Sequence, residues 1–159
     1  MNGTMLDQFV ETWHINNRIN LTLLDEINEE GLNVTLSKQG AETPAKQFAH
    51  MHNVRLWKLE KMDAKLVQDL EKLSLKKELN RDLLRFKLIR SAEAIGNLLK
   101  NGFENGGEIE RYHCGVFTFM GYLISHEAHH RGKMMLTLKQ CGYDLSKSVK
   151  YGIWDWNKI

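Results

Sequence analysis

The sequence predicts an all-α protein built as a four-helix bundle, and three observations carry that expectation. Only one proline stands among 159 residues, and turn-rich stretches are scarce, so the chain has few of the breakers that separate short strands. Four segments repeat apolar residues at the three- and four-residue spacing of a single helix face. The segments are bounded by residues that start or stop helices. Four such helices in a chain of this length read as a single domain over residues 1–159.

The first helix is predicted over 4–29, with Thr4 as N-cap and Phe9, Trp13, Asn16, Asn20, Leu23, Leu24 and Ile27 recurring at helical spacing. Residues 30–43 carry two glycines among scattered polar residues and read as a connection. Thr43-Pro44 is a strong start signal, an N-cap followed by proline in the first turn, so a second helix is expected over 44–61. Residues 62–79 are charged and their apolar period drifts; continuation, short helix and crossover all fit them. Asn80 caps a third helix over 80–101, carrying Leu84, Leu88, Ala92, Ile95 and Leu99, which Gly102 is expected to end. A loop through Gly106-Gly107 leads to a fourth helix over 113–141, stopped by Gly142. The tail holds Tyr143, Tyr151, Trp154 and Trp156, an aromatic surface expected to pack over one end of the bundle.

Composition narrows the function classes. Apolar residues make up 42% of the chain, as in ordinary globular proteins. A net charge of +2 with interleaved signs reads as a solvated surface without a basic block, so no nucleic-acid partner is expected. The start Met1-Asn2-Gly3-Thr4-Met5-Leu6-Asp7 lacks the basic and apolar parts of a signal peptide. No uncharged apolar run approaches the ~18 residues of a membrane span. A cytoplasmic protein with no membrane partner is therefore expected. Cys114 and Cys141 lie far apart without a CxxC arrangement, which reads as two reduced, buried thiols. The aromatic tail and apolar helix flanks suggest a homodimer.

The chemistry lies in the histidines. His126 and His130 fall on the apolar stripe of the fourth helix with Val116, Phe119, Met120, Leu123, Met134 and Leu138, whereas His129 falls toward its flank. Side chains four residues apart stack on one face with β-carbons roughly 5–6 Å apart, so two imidazoles can converge on one metal ion. A lone histidine on an apolar face is ordinarily a core residue with one hydrogen-bond partner. Two of them a turn apart are harder to satisfy, since an unpartnered buried polar group costs on the order of 1–3 kcal/mol. His126-Glu127-Ala128-His129-His130 also matches HExxH formally, with Glu127 as a candidate base or a support for a metal ligand. The zinc-protease reading is weak: Lys133 and Leu136 stand where the extended motif needs Gly and His, and no Glu follows His130. In the second helix His50 and His52 lie about 200° apart, so only one of them faces any site. Periodicity slightly favours His52.

Phe48-Ala49-His50-Met51-His52-Asn53-Val54-Arg55 with Trp57, the block His126-Glu127-Ala128-His129-His130-Arg131-Gly132-Lys133 and the closing Tyr151-Gly152-Ile153-Trp154-Asp155-Trp156 together resemble the DinB/YfiT-like metalloenzymes. The resemblance runs over nearly the whole chain. It implies up-down-down-up topology, with 62–79 as the long crossover. It also implies a metal centre made by His50, His126 and His130, against the lean of periodicity toward His52. Lys133 departs from the family, many of whose members carry Gln there. Three histidines leave a coordination position open on a divalent ion such as Zn, Ni or Fe. Similar proteins include transferases and isomerases that use low-molecular-weight thiols, so the expected activity is a metal-dependent, S-transferase-like reaction on a small thiol. The alternatives are a hydrolase using metal-activated water, with Glu127 as base, and a non-enzymatic metal-binding stress-response protein.

Overall fold

Local sequence signals account for most helix ends in the chain, which a computed structural model describes over residues 3–38 and 42–159. Helix α1 spans Met5–Glu26. The Thr4 hydroxyl accepts from the Asp7 N–H while the Asp7 carboxylate accepts from the Thr4 N–H, a reciprocal cap. Helix α2 is short, Glu29–Asn33, capped by Asn28. Helix α3, Pro44–Met62, starts at the Thr43 cap with proline in its first turn. Helix α4, Arg81–Glu104, starts at the Asn80 cap, and helix α5 covers Gly115–Gln140. Helix α6 is a short piece, Lys147–Gly152. Gly142 ends α5 as expected. It adopts φ 84°, the Tyr143 N–H reaches the Leu138 carbonyl at 2.8 Å and the Gly142 N–H reaches Lys139, which satisfies two carbonyls of the last turn.

Four expectations are corrected. The first helix does not run to residue 29: Ile27 is extended and Asn28 turns its side chain onto the Gly31 N–H, starting α2 inside the predicted connection. The remainder of that connection includes residues 39–41, which lie outside the described residues. Gly102 does not end α4. It is buried within the helix, where a β-carbon would stand 3.0 Å from Ile109 Cγ1 and 3.1 Å from the Glu108 carbonyl oxygen. Its smallness admits the returning loop, and the chain turns at Gly106 and Gly107, both at positive φ. The tail aromatics do not pack as a group: Tyr151 is 72% and Trp154 76% exposed, while Leu145 and Ile153 bury instead. The cysteines also differ from expectation. Both are free, but Cys114 is exposed and Cys141 half-buried, because each occupies a turn at an end of α5.

Residues 63–80 connect α3 to α4 through a 3-10 turn at Ala64–Val67 and an extended run. The run is tied down by α3. Asn53 uses its amide like a peptide group, donating to the Leu73 carbonyl and accepting from the Leu73 N–H. His52 reaches the Glu71 carbonyl.

The interior has two apolar halves. One gathers Leu23, Phe48, Leu84 and Met134 with their neighbours; the other gathers Trp13, Leu59, Ile95 and Phe119 with theirs. Along each long helix, buried polar residues fall between the two sets: Asn16, Asn17 and Asn20 on α1, Arg55 on α3, Ser91 on α4, Glu127 and Arg131 on α5. They form one network. Arg55 Nε and Nη2 donate to the two oxygens of Glu127 at 2.7 and 2.9 Å, and Nη1 reaches Asn17, Ser91 and the Leu88 carbonyl. Asn16 and Asn20 each donate to Glu127 at 2.7 Å and accept from Arg131. The Arg55 guanidinium also lies over the Trp13 ring, 4.9 Å from its centroid. Burial alone would push the Glu127 carboxyl up. The Arg55 charge and hydrogen bonds, with those of Asn20 and the Arg131 charge, outweigh it and hold the group below the usual carboxylate range. Among the described residues, no helix is long and apolar enough to cross a membrane.

Two stability predictions follow from this packing. Gly102→Ala is expected to lower unfolding stability by about 1–2 kcal/mol through overpacking, although helix propensity alone would raise it by about 1 kcal/mol. Gly121→Ala, whose β-carbon meets nothing within 4 Å, is the control and should stabilise, both read from urea denaturation midpoints. Glu127→Gln leaves the buried Arg55 without its counter-charge and should cost about 3–5 kcal/mol. A loss under 1 kcal/mol in the same titration would show that the network contributes little.

Candidate metal centre

Helices α3 and α5 meet along a groove, and the residues that touch across it run in opposite order on the two helices. Gln47 near the start of α3 bonds His130, and Lys58 near the end of α3 lies over Tyr122. Between those two contacts the groove holds three imidazoles. His50, His126 and His130 each offer a ring nitrogen, and these atoms all lie within 4.8 Å of one another. Ring centroids are 4.7 Å apart for His50 and His130, 5.4 Å for His50 and His126, and 4.5 Å for His126 and His130.

Helix geometry places two of them. His126 and His130 stack one turn apart, and their Nε2 atoms face each other at 3.1 Å. Two ligands at about 2.0–2.1 Å in a tetrahedral arrangement stand about 3.3 Å apart, so this pair is spaced as a metal needs. His50 comes from the facing helix. All three rings are half-buried. Burial depresses the basicity of each. In His130 the nearby His126, His50, His129 and Lys133 add to burial and push the pKa down to about 4. In His50 burial is joined by Lys133; in His126 burial and His50 outweigh the opposing Glu127 charge. The imidazoles are therefore neutral near pH 7, the form that binds a metal.

The surroundings fit a metal. Gln47, 5% exposed and one turn before His50, places Oε1 on His130 Nδ1 at 2.5 Å. An amide oxygen there keeps the proton on Nδ1 and leaves Nε2 as the free lone pair, as carbonyl partners of metal-binding histidines do. His126 Nδ1 is buried and has no hydrogen-bond partner. A cavity of about 440 Å³ opens beside the cluster, lined by Glu42, Lys46, Gln47, His50, Leu75 and His130.

The other candidates stand apart from the cluster. His52 is fully buried on the opposite side of α3, where its ring bonds the Glu71 carbonyl of the connecting segment. His129 is exposed and meets His130 only edge to face, at 5.4 Å. Glu127 sits in the interior with both oxygens engaged by Arg55, Asn16 and Asn20. Sequence reasoning gave no role to Gln47 or to Arg55, although Arg55 closes the segment on which the family resemblance rests. Asn16 and Asn20 did carry a signal, polar residues in the middle of an apolar helical stripe. Searches against protein-family models, curated proteins and solved structures found no match.

Alanine substitutions separate the roles. His50→Ala, His126→Ala and His130→Ala should each lose most of the bound divalent metal after dialysis, measured by elemental analysis. His129→Ala should retain it, and His52→Ala should retain it while unfolding more easily. Gln47→Leu should weaken binding about 10–100-fold. Metal retained by His50→Ala but lost by His52→Ala would invert the assignment on α3.

Proposed function

We propose that the chain is a DinB-like metalloenzyme in which His50, His126 and His130 hold one divalent ion and a small thiol is activated for attack on an electrophile. The observation that carries this reading is the convergence of three neutral imidazoles beside a cavity, without a fourth protein ligand at the cluster among the described residues. Three nitrogens make an open site, whereas structural zinc sites close with four protein ligands. A divalent ion bound there supplies Lewis acidity, which lowers the pKa of a thiol or water at the open position.

The chain's own residues do the rest. Gln47 holds the Nδ1 proton of His130 and fixes the ring. The cavity between Gln47 and Leu75 receives the electrophile. Glu127 favours the thiol reading over hydrolysis: its carboxylate is buried, ionised and fully hydrogen-bonded, so it is not free to take a proton from water.

The wider reading is an up-down-down-up bundle of α1, α3, α4 and α5. Three sets of contacts support it. Trp13 bonds the Ala92 carbonyl while Asp25 pairs with Arg85, so α1 and α4 run in opposite senses. Phe9 touches Phe117 while Asn20 bonds Glu127, so α1 and α5 run together. The groove contacts oppose α3 to α5.

The test is turnover of 2-mercaptoethanol with 1-chloro-2,4-dinitrobenzene by protein loaded in turn with Zn, Ni and Fe. Thiol consumption should require the metal, stop on chelation and fall to background in His126→Ala. Metal-dependent cleavage of a p-nitrophenyl ester in the absence of thiol, with no thiol consumption, would replace this reading by a hydrolase.

A further inference from the structure

The outward face of α5 carries no charge. Of the exposed residues between Gly115 and Leu136, none is Asp, Glu, Lys or Arg. The charged residues of that span are turned elsewhere: Glu127 and Arg131 are buried, and Lys133 pairs with Glu42 at the groove. The exposed face of α4 shows the ordinary solvated pattern, with Asp82, Arg90, Glu93, Lys100 and Glu104. In place of charge, α5 shows Phe117 at 58% and Leu136 at 55% exposure, with Gly121, Ser125, Ala128 and Gly132 exposed between them.

The two glycines of this stripe have no reason within the chain. At Gly31, Gly96 and Gly102 an added β-carbon would meet a neighbour at 2.9, 3.2 and 3.0 Å, so the chain's own packing requires them. At Gly121 and Gly132 it would meet nothing within 4 Å. Glycine inside a helix is disfavoured relative to alanine, and the room it leaves here suits a backbone from outside the chain. The stripe is also symmetric. Counted outward from the point between His126 and Glu127, Ser125 and Ala128 stand at equal distances on either side, as do Gly121 and Gly132, and Phe117 and Leu136. A pattern that reads the same in both directions is what two identical antiparallel helices need: under a two-fold axis residue i meets j, and j meets i.

We infer that α5 is the interface of a homodimer, packed antiparallel against the same helix of a second copy about a two-fold axis level with the point between His126 and Glu127. Phe117 comes level with the partner's Leu136, Gly121 with the partner's Gly132 and Ser125 with the partner's Ala128. The small residues let the two backbones approach, and the large ones close both ends of the contact. The exposed tail aromatics Tyr151 and Trp154 take no part. Pairing leaves the histidine cluster accessible, because at 100° per residue the stripe is centred about 150° around the helix from His126 and His130. The inference is independent of the metal centre and needs only the outward side of α5.

The experiment is sedimentation velocity on the full chain from about 1 to 500 μM, the range in which so small an interface dissociates. A shift from monomer to dimer across that range is expected. Ser125→Glu should weaken the dimer about a hundredfold by setting two like charges beside the axis, and Ala128→Lys should do the same. Both positions are exposed on a helix, so each variant keeps its fold, which its circular dichroism checks. An equimolar mixture of the two variants should dimerise again, since the antiparallel register sets the glutamate of one chain against the lysine of the other. The double variant Tyr151→Ser, Trp154→Ser should dimerise like the unsubstituted chain. The gain expected for Gly121→Ala is that of the single chain, and is read at the dilute end of the range. A chain that stays monomeric at every concentration overturns the inference, as does a dimer that survives Ser125→Glu. Loss of the dimer in the tail variant moves the interface to the tail and overturns it too. Two variants that dissociate singly but fail to restore each other in the mixture overturn the antiparallel pairing.

Discussion

The bidentate pair of Arg55 and Glu127 is the constraint on which the arrangement of the four long helices rests. Both side chains are out of water, at 0% and 1% exposure, and a buried charge is tolerable only when its partner and hydrogen bonds are in place. Apolar contacts on either side of the pair tolerate small slides of one helix along another. A guanidinium locked to both carboxylate oxygens, with its third nitrogen on Asn17, Ser91 and the Leu88 carbonyl, does not. Residues from α1, α3, α4 and α5 all meet there, so one polar layer sets the relative height of every long helix. The histidine cluster inherits that setting, because His126 and His130 each directly precede a network residue, Glu127 and Arg131.

What could be read from the sequence was what local chemistry decides. Thr4, Thr43-Pro44, Asn80 and Gly142 mark helix ends through bonds made within a few residues, and each does so in the structure. Gly102 misled for the same reason. A glycine after an apolar run looks like a stop, but its role is to admit Ile109 and the Glu108 carbonyl, contacts that no spacing pattern announces. The short α2 was hidden because a five-residue helix has no period to detect.

The cluster divides along the same line. The relation of His126 to His130 is internal to one helix and follows from spacing. The position of His50 is not, since hydrophobic periodicity on α3 pointed to His52. That residue does face a buried environment, but one made by the segment that returns across it, with the Glu71 carbonyl taking up its ring. Two buried faces on one helix look alike to a periodicity argument; what distinguishes them is which element covers each. The roles of Arg55 and Gln47 were hidden for a related reason, since their partners lie on other helices far along the chain.

The one-residue offset between His126, His130 and Glu127, Arg131 limits how the chain length of α5 can vary. Each pair stands one turn apart, and the two pairs are separated by about 100° around the helix axis. A single residue added in the first half of α5 would turn the rest of the helix by that same angle and carry the imidazoles toward the interior, whereas one deleted would turn it the other way and carry the charged groups toward the groove. A change of seven residues, close to two full turns, would restore both faces within about 20°. Length variation among chains that keep this arrangement should therefore collect in the loops before residue 115 and after residue 140, with the helix between them changing by whole turns or not at all.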